Sequence, residues 1–381
     1  MLIASGLVTY YVHRRMVGVI APGRRVRRAI AAAVVVLFIS VPLQSSARMW
    51  APGFSTVMGW ISGPWLAFVG IAATAFLAID LVRGVTWLAR RVARRPATIT
   101  QLSRREFLTR IGGGAALAVT GASLGVGMME ARGEHEIVTV EIPLAKLPRA
   151  LDGFTIVQLS DLHTGMTIGR DFVQRVVARA NALKPDLVAL TGDLMDGTVE
   201  HLRDDIAPLA QLSAKHGVYA VTGNHEYYSG VDAWIAEITR LGARYLRNEH
   251  VTIGEGEASF DLAGVDDHSA HAWPGHGEDL GAATSGHAPE RALVLLAHQP
   301  RQVRRAARYG VDLQLSGHTH GGQIWPWHYL VKLQQGGLLA GKYAYEGTQL
   351  YVTRGCGYWG PPVRLLAPLE ITRIVLRSAR S

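Results

Sequence analysis

Residues 154–163 read FTIVQLSDLH, a short apolar run that opens directly onto an acid and a histidine. An uninterrupted apolar run of that length reads as a strand buried on both faces. The same arrangement recurs in DLVALTGD (186–193), VYAVTGNHE (218–226), ALVLLAH (292–298) and VDLQLSGHTH (311–320). Helix-period segments lie between several of these runs: Asp171–Leu183, Asp204–Lys215, Asp232–Leu241 and Pro300–Tyr309, each with an Asp or Pro start signal. The succession β-α-β-α-β predicts an α/β domain with largely parallel central strands. IVTVEIPL (137–144) leads into it with strand-like alternation. QLYVT (349–353) and LEITRIVL (369–376) follow without good helices between them, which predicts a second, mixed part of the sheet. Residues 266–289, with four His among Gly, Pro and acids, read as a surface loop of solvated side chains.

In open α/β sheets, ligands bind beyond the carboxyl ends of the strands. Five successive strand ends here deliver Asp161 and His163, then Asp193, then Asn224 and His225, then His298, then His318 and His320. Each motif alone is weak, but the ordered set is hard to explain as packing. Buried, unpaired carboxylates and imidazoles would cost several kcal/mol between them. Divalent metals supply the missing positive charge. Imidazole and carboxylate donors without thiolate suit Mn, Fe, Zn or Ni better than Ca. Seven ligands are too many for one tetrahedral ion and enough for two that share a carboxylate. Two metals about 3.5–4 Å apart are the usual arrangement for in-line displacement at phosphorus, with hydroxide generated from a bridging water. The sole cysteine, Cys356, sits in RGCGYWG with no adjacent His, and it excludes a disulfide framework or a cysteine zinc cluster. Neither a G-x-S-x-G elbow nor a G-x-x-x-x-G-K-[ST] phosphate loop occurs in the sequence.

The ordered set D-x-H, G-D, G-N-H-E, H and G-H-x-H resembles the calcineurin-like metallophosphoesterase superfamily. The wording LSDLHTG, TGDLMDG, GNHEYY, AHQP and SGHTHGGQ is similar to that of bacterial membrane-associated members, some of which carry twin-arginine signals. The resemblance implies a two-sheet sandwich flanked by helices and a dimetal phosphohydrolase. By the same resemblance, Asp161, His163 and His320 hold one metal, Asn224, His298 and His318 the other, and Asp193 bridges them. It gives His225 no metal and makes it the group that stabilises or protonates the leaving group. Gly165, Gly192, Gly223 and Gly317 are expected to permit the turns that aim these side chains.

The front of the chain is of another kind. Residues 1–132 hold 16 Arg and no Lys against 3 acids, a surplus of +13; residues 133–381 hold 23 basic and 27 acidic residues, a balance of −4. The positive charge therefore lies away from the motifs, and no nucleic-acid partner is expected. Ala29–Ala47, Met49–Ile79 and the Gly/Ala-rich Ile111–Met129 carry no charge, and each is long enough to span a bilayer. Arginines crowd the segments before the first and after the second, whereas the loop between them has only Arg48; the positive-inside rule puts both basic segments in the cytoplasm. Ser103-Arg104-Arg105-Glu106-Phe107-Leu108 resembles the twin-arginine export motif. The expectation is a membrane module over 1–132 and a catalytic domain over 137–381, held on the outer side of a bacterial cytoplasmic membrane. The anchor favours a lipid-linked or other membrane-proximal phosphorylated substrate, with HTHGGQIWPW (318–327) and Trp359 adding apolar area near the site. The alternative is a non-catalytic membrane scaffold with a structural dimetal centre.

Overall fold

In each central strand, alternate residues face opposite layers, so a continuous apolar run fills two cores at once. In β2 (Thr155–Leu159), Ile156 joins one cluster while Val157 and Leu159 join another. In β3 (Leu187–Leu190), Leu187 and Ala189 face the first cluster, and Val188 and Leu190 the second. The structure is a computed structural model, and it describes residues 2–20, 23–47, 51–93 and 102–379. Its contacts divide the chain into two units: Met1–Met129 with Gly360–Val363, and Glu130–Trp359 with Arg364–Ser381.

The second unit contains two six-stranded sheets. The first has β1 (Glu136–Leu144), β12 (Glu370–Ser378), β2, β3, β4 (Val218–Ala220) and β5 (Ala243–Tyr245), in that spatial order. All its pairs are parallel except β12 with β2. The second sheet has β10 (Gly341–Tyr345), β11 (Thr348–Val352), β9 (Leu313–Ser316), β8 (Leu293–Leu296), β7 (Ala258–Gly264) and β6 (Glu249–Glu255). Its two edge pairs are antiparallel and its inner pairs parallel. The expected α/β sandwich is therefore present, and the mixed character extends to both sheets.

The apolar layer between the sheets draws Ile156, Leu187 and Ile374 from one and Leu262, Val294 and Leu315 from the other. Phe154 meets the fully buried Phe260 edge to face, with ring centroids 5.2 Å apart. Emptying the Phe260 position would cost about 3–5 kcal/mol. Outside the first sheet lie three helices whose apolar faces join one cluster. They are Arg170–Ala182, Val199–Ile206 and Val231–Arg240.

Several elements differ from the sequence expectation. The helix expected over Asp204–Lys215 begins at Val199 and tightens into a 3₁₀ segment from Ala207, where Pro208 withdraws a backbone donor. The segment Pro300–Tyr309 is a short α-turn between two 3₁₀ turns. Strands β5, β6, β7 and β10 were not expected. In the loop 266–289, His276 and His287 are not simply solvated. His276 Nδ1 accepts from Arg247 at 2.8 Å, and His287 Nδ1 lies 2.7 Å from Asp261 Oδ2.

The described residues of the first unit form four helices: α1 (Leu2–Ile20), α2 (Arg24–Ala47), α3 (Pro52–Val92) and α4 (Leu102–Glu130). Among the described residues, three stretches are long and apolar enough to cross a membrane: Arg24–Gln44, Gly53–Val92 and Thr109–Glu130. At 41 residues α3 is roughly 60 Å long, about twice the hydrocarbon thickness, and it runs past the expected end at Ile79. Its C-terminal part carries Asp80, which accepts from Tyr11 at 2.8 Å and pairs with Arg15 at 3.0 Å. Ala21, Pro22, Arg48, Met49, Trp50 and residues 94–101 lie outside the described residues, as do the side chains of Ser103, Arg104, Arg105, Glu106 and Leu108.

Candidate metal centre

The parallel strands β2, β3 and β4 of one sheet and β8 and β9 of the other release their chains at one edge of the sandwich. Asp161 and His163 follow β2, Asp193 follows β3, and Asn224 and His225 follow β4; His298 follows β8, and His318 and His320 follow β9. All eight residues foreseen from the sequence arrive at this edge. Asp161, His163 and His320 bring donor atoms within 4.8 Å of one another, and so do Asp193, His298 and His318. Asp193 reaches both groups. Its Oδ2 is 3.1 Å from His298 Nε2 and 3.8 Å from His163 Nε2. His163 and His320 face each other through Nε2 at 3.0 Å, and His318 Nδ1 lies 3.2 Å from His298 Nε2.

The backbone is strained to achieve this. Asp161, His163, Asp193, His318 and His320 all have φ between 50° and 72°. Left-handed backbone at a non-glycine residue is costly, and it persists where surrounding structure enforces it. Here it turns the side chains after β2, β3 and β9 back toward a common point. Of the four glycines singled out from the sequence, only Gly192 has positive φ, at 89°. Gly223 and Gly317 serve another purpose: a Cβ there would strike the Asp193 and Asp161 carboxylates respectively. A Cβ on Gly165 would press on Asp196.

The residues present fit divalent cations. Asn224 Oδ1 is buried and makes no hydrogen bond, which costs about 1–3 kcal/mol unless another partner takes it. A neutral oxygen so placed is a ready metal donor. Burial, aided by the neighbouring His298 charge, pushes the His318 imidazole down to about 3, and burial beside His163 holds His320 well below the usual range. Both are then neutral, with lone pairs to give. His298 is held well above its usual range: burial opposes this, and the charge of Asp193 outweighs burial. His298 Nδ1 donates to Thr191 O at 2.8 Å, leaving Nε2 to face the cluster.

His225 also brings a donor atom close to His163 and Asp193. Its Nδ1 is already engaged, 2.5 Å from Asp196 Oδ1. Burial works against its protonation, yet Asp193 and Asp196 push it up to about 9. Asp196 lies 3.1 Å from His163 Nδ1 as well, so one carboxylate orients both rings. Sequence reasoning gave Asp196 no role; its one signal was a second acid three residues after Asp193. Glu226, quoted only as part of a motif, is fully buried and accepts from the backbone N–H of Asp193, Leu194 and Gly223 at 2.7–3.0 Å. It ties the loop after β3 to the loop after β4. Arg364 had no signal at all. It is fully buried behind the site and donates to His320 O at 2.8 Å and to His320 Nδ1 at 3.1 Å.

Residues 154–322 match the family model described as calcineurin-like phosphoesterase. An uncharacterized metallophosphoesterase of Bacillus subtilis (strain 168) is 33% identical over 287 residues, which cover 73% of this chain and 99% of that protein. The chain belongs to the calcineurin-like phosphoesterase family. The chain is also 41% identical, over 69% of its length, to a zebrafish (Danio rerio) protein named "Transmembrane protein with metallophosphoesterase domain". A Bos taurus relative of the same name is likewise 41% identical over 69% of the chain. In both cases the chain spans about 62% of the relative's length. Membership goes with the two-sheet fold that the chain shows.

Proposed function

We infer that the protein is a membrane-anchored hydrolase of phosphoester, phosphodiester or pyrophosphate bonds that uses two divalent ions and acts on a lipid-linked or other membrane-proximal substrate. The observation that carries the reading is the convergence of Asp161, His163, Asp193, His298, His318 and His320, with the unpartnered Asn224 Oδ1 buried on the loop after β4. Asp161, His163 and His320 would hold one ion, Asn224, His298 and His318 the other, and Asp193 would bridge. The donor chemistry suits Mn, Fe, Zn or Ni. When bound, the ions would supply Lewis-acid charge to a phosphoryl oxygen and bring the acidity of water near neutrality.

The chain's own residues do the rest. Asp196 and Thr191 O fix the rings of His163 and His298 through Nδ1, so Nε2 of each faces inward. Asp196 likewise engages Nδ1 of His225 and leaves Nε2 to carry a proton. As the bond between phosphorus and the leaving oxygen breaks, that oxygen takes the proton from His225 and water supplies the new oxygen on phosphorus.

The anchor is a module over residues 1–132, and the catalytic domain covers 137–381. Exposed Val35, Val36, Ile39, Leu77 and Leu81 on α2 and α3 are suited to lipid contact. The arginine asymmetry and the Ser103–Leu108 motif favour a bacterial cytoplasmic membrane with the catalytic domain outside. Protease access in spheroplasts tests this side of the reading, and a domain protected from external protease contradicts it. For the reaction, the full chain in nanodiscs is assayed with added Mn, Ni, Zn or Mg on an alkyl phosphomonoester, a phosphodiester and a lipid-linked pyrophosphate. Hydrolysis of at least one, abolished by chelator and restored by metal, is expected. A metal-replete protein inert on all three favours the scaffold alternative.

A further inference from the structure

The surface beside the metal centre is apolar where a water-facing enzyme would be polar. Trp325, Tyr329, Leu330, Leu333, Trp359 and Leu366 are 49–79% exposed. They sit on segments that are joined to one another. Ile324 bridges Leu365, Trp325 N donates to Leu365 O at 3.1 Å, and Gln323 Nε2 donates to Trp359 O at 2.9 Å. The helix that carries Tyr329, Leu330 and Leu333 (His328–Gln334) buries none of its residues. The Trp359 ring lies 6.0 Å from the ring of His225, so the patch borders the site.

We propose that this rim docks on the lipid bilayer and that the site draws its phosphorylated substrate from the membrane surface. The proposal rests on reading the long apolar helices as spans, and it adds to the proposed function the phase from which substrate comes. Three observations select a bilayer as the occupant. The patch mixes Trp and Tyr with Leu, the composition found where protein meets the headgroup layer. Its charge is of one sign: Gly317–Tyr345 contains Lys332 and Lys342 and no acid, and Trp359–Ala367 contains no acid either. Anionic headgroups attract such a segment. The tether is also short. The last candidate span ends at Glu130 and β1 begins at Glu136; the five residues between them reach at most about 18 Å. A bilayer is therefore always at high effective concentration beside this unit. Apolar area that would be costly in water is matched to a surface the chain cannot leave. A substrate whose phosphate lies at headgroup depth would meet His225 and the metal ligands without leaving the membrane.

The test uses the full chain in nanodiscs of phosphatidylcholine and phosphatidylglycerol. Cys356 is buried, so a single introduced cysteine can carry an environment-sensitive dye. Leu333→Cys and, independently, Leu330→Cys place the dye on the rim, and Glu257→Cys places it on the exposed turn between β6 and β7. Doxyl-labelled lipid is expected to quench both rim positions several-fold more than position 257. Equal quenching at all three overturns the proposal. So does a blue-shifted rim emission that doxyl lipid leaves unquenched, because protein would then cover the patch, whether a second copy or another part of the chain. Catalysis is not read in this experiment, so its failure would leave the hydrolase reading intact.

Discussion

Asp196 Oδ1 lies 2.5 Å from Nδ1 of His225 and 3.1 Å from Nδ1 of His163, so one carboxylate serves both a metal-ligand candidate and the proposed proton donor. Two separable effects should follow from Asp196→Asn. Because His163 loses its charged orienting partner, metal affinity should fall about 10–100-fold. With metal in excess, turnover of an alkyl phosphoester should still fall roughly 10²-fold, as it should in His225→Ala. Turnover of p-nitrophenyl phosphate should fall far less in both, since that leaving group departs without a proton. Steady-state rates on the two esters check this. Equal losses on both would remove the proton-donor role.

Glu226 ties the loop after β3 to the loop after β4 through its carboxylate oxygens, which accept from both. In Glu226→Ala, three buried N–H groups, those of Asp193, Leu194 and Gly223, lose their acceptor. Each unsatisfied donor costs about 1–3 kcal/mol, partly offset by no longer burying a carboxyl group. A net destabilisation of at least about 3 kcal/mol is expected, with a smaller loss in Glu226→Gln, which keeps an acceptor oxygen. Denaturant unfolding of the two variants against the native chain measures it.

His135 gives the fold a dependence on acid. Its Nε2–H donates to Cys356 O at 2.8 Å, and burial pushes its pKa down to about 4 from its ordinary 6.5. Between these values the unfolded chain takes up a proton that the folded chain refuses. Stability from this group is therefore complete above about pH 6.5 and declines with acid, by about 3 kcal/mol at pH 4. His135→Gln should flatten the pH dependence of unfolding across that window when chelator is present. An unchanged slope would mean that His135 is not held neutral.

The eight candidate site residues were legible because parallel strands end at one edge, and a strand buried on both faces writes its end as a clear change from apolar to polar. The same rule could not reveal β5 or β6. Ala243–Tyr245 is too short to show a period, and EHVTIGE (249–255) is mostly polar because β6 is an edge strand with only Ile253 fully buried. Pro208 broke a helix that periodicity alone had extended. Asp196 escaped notice because an acid before a glycine looks like any turn residue; only the fold brings it to His225. Arg364 lies in GPPVRLL, where nothing local hints that its guanidinium spends its donors on backbone carbonyls around His320.

The central claim is two ions sharing Asp193, and elemental analysis of purified full-length protein tests it most directly. The native chain should carry two divalent ions. Asp193→Asn should lose most of both together, because the bridging charge serves each, and hydrolysis should collapse with them. An Asp193→Asn protein that keeps two ions and normal turnover would contradict the dimetal assignment, and a native chain that saturates at one ion would contradict it as well.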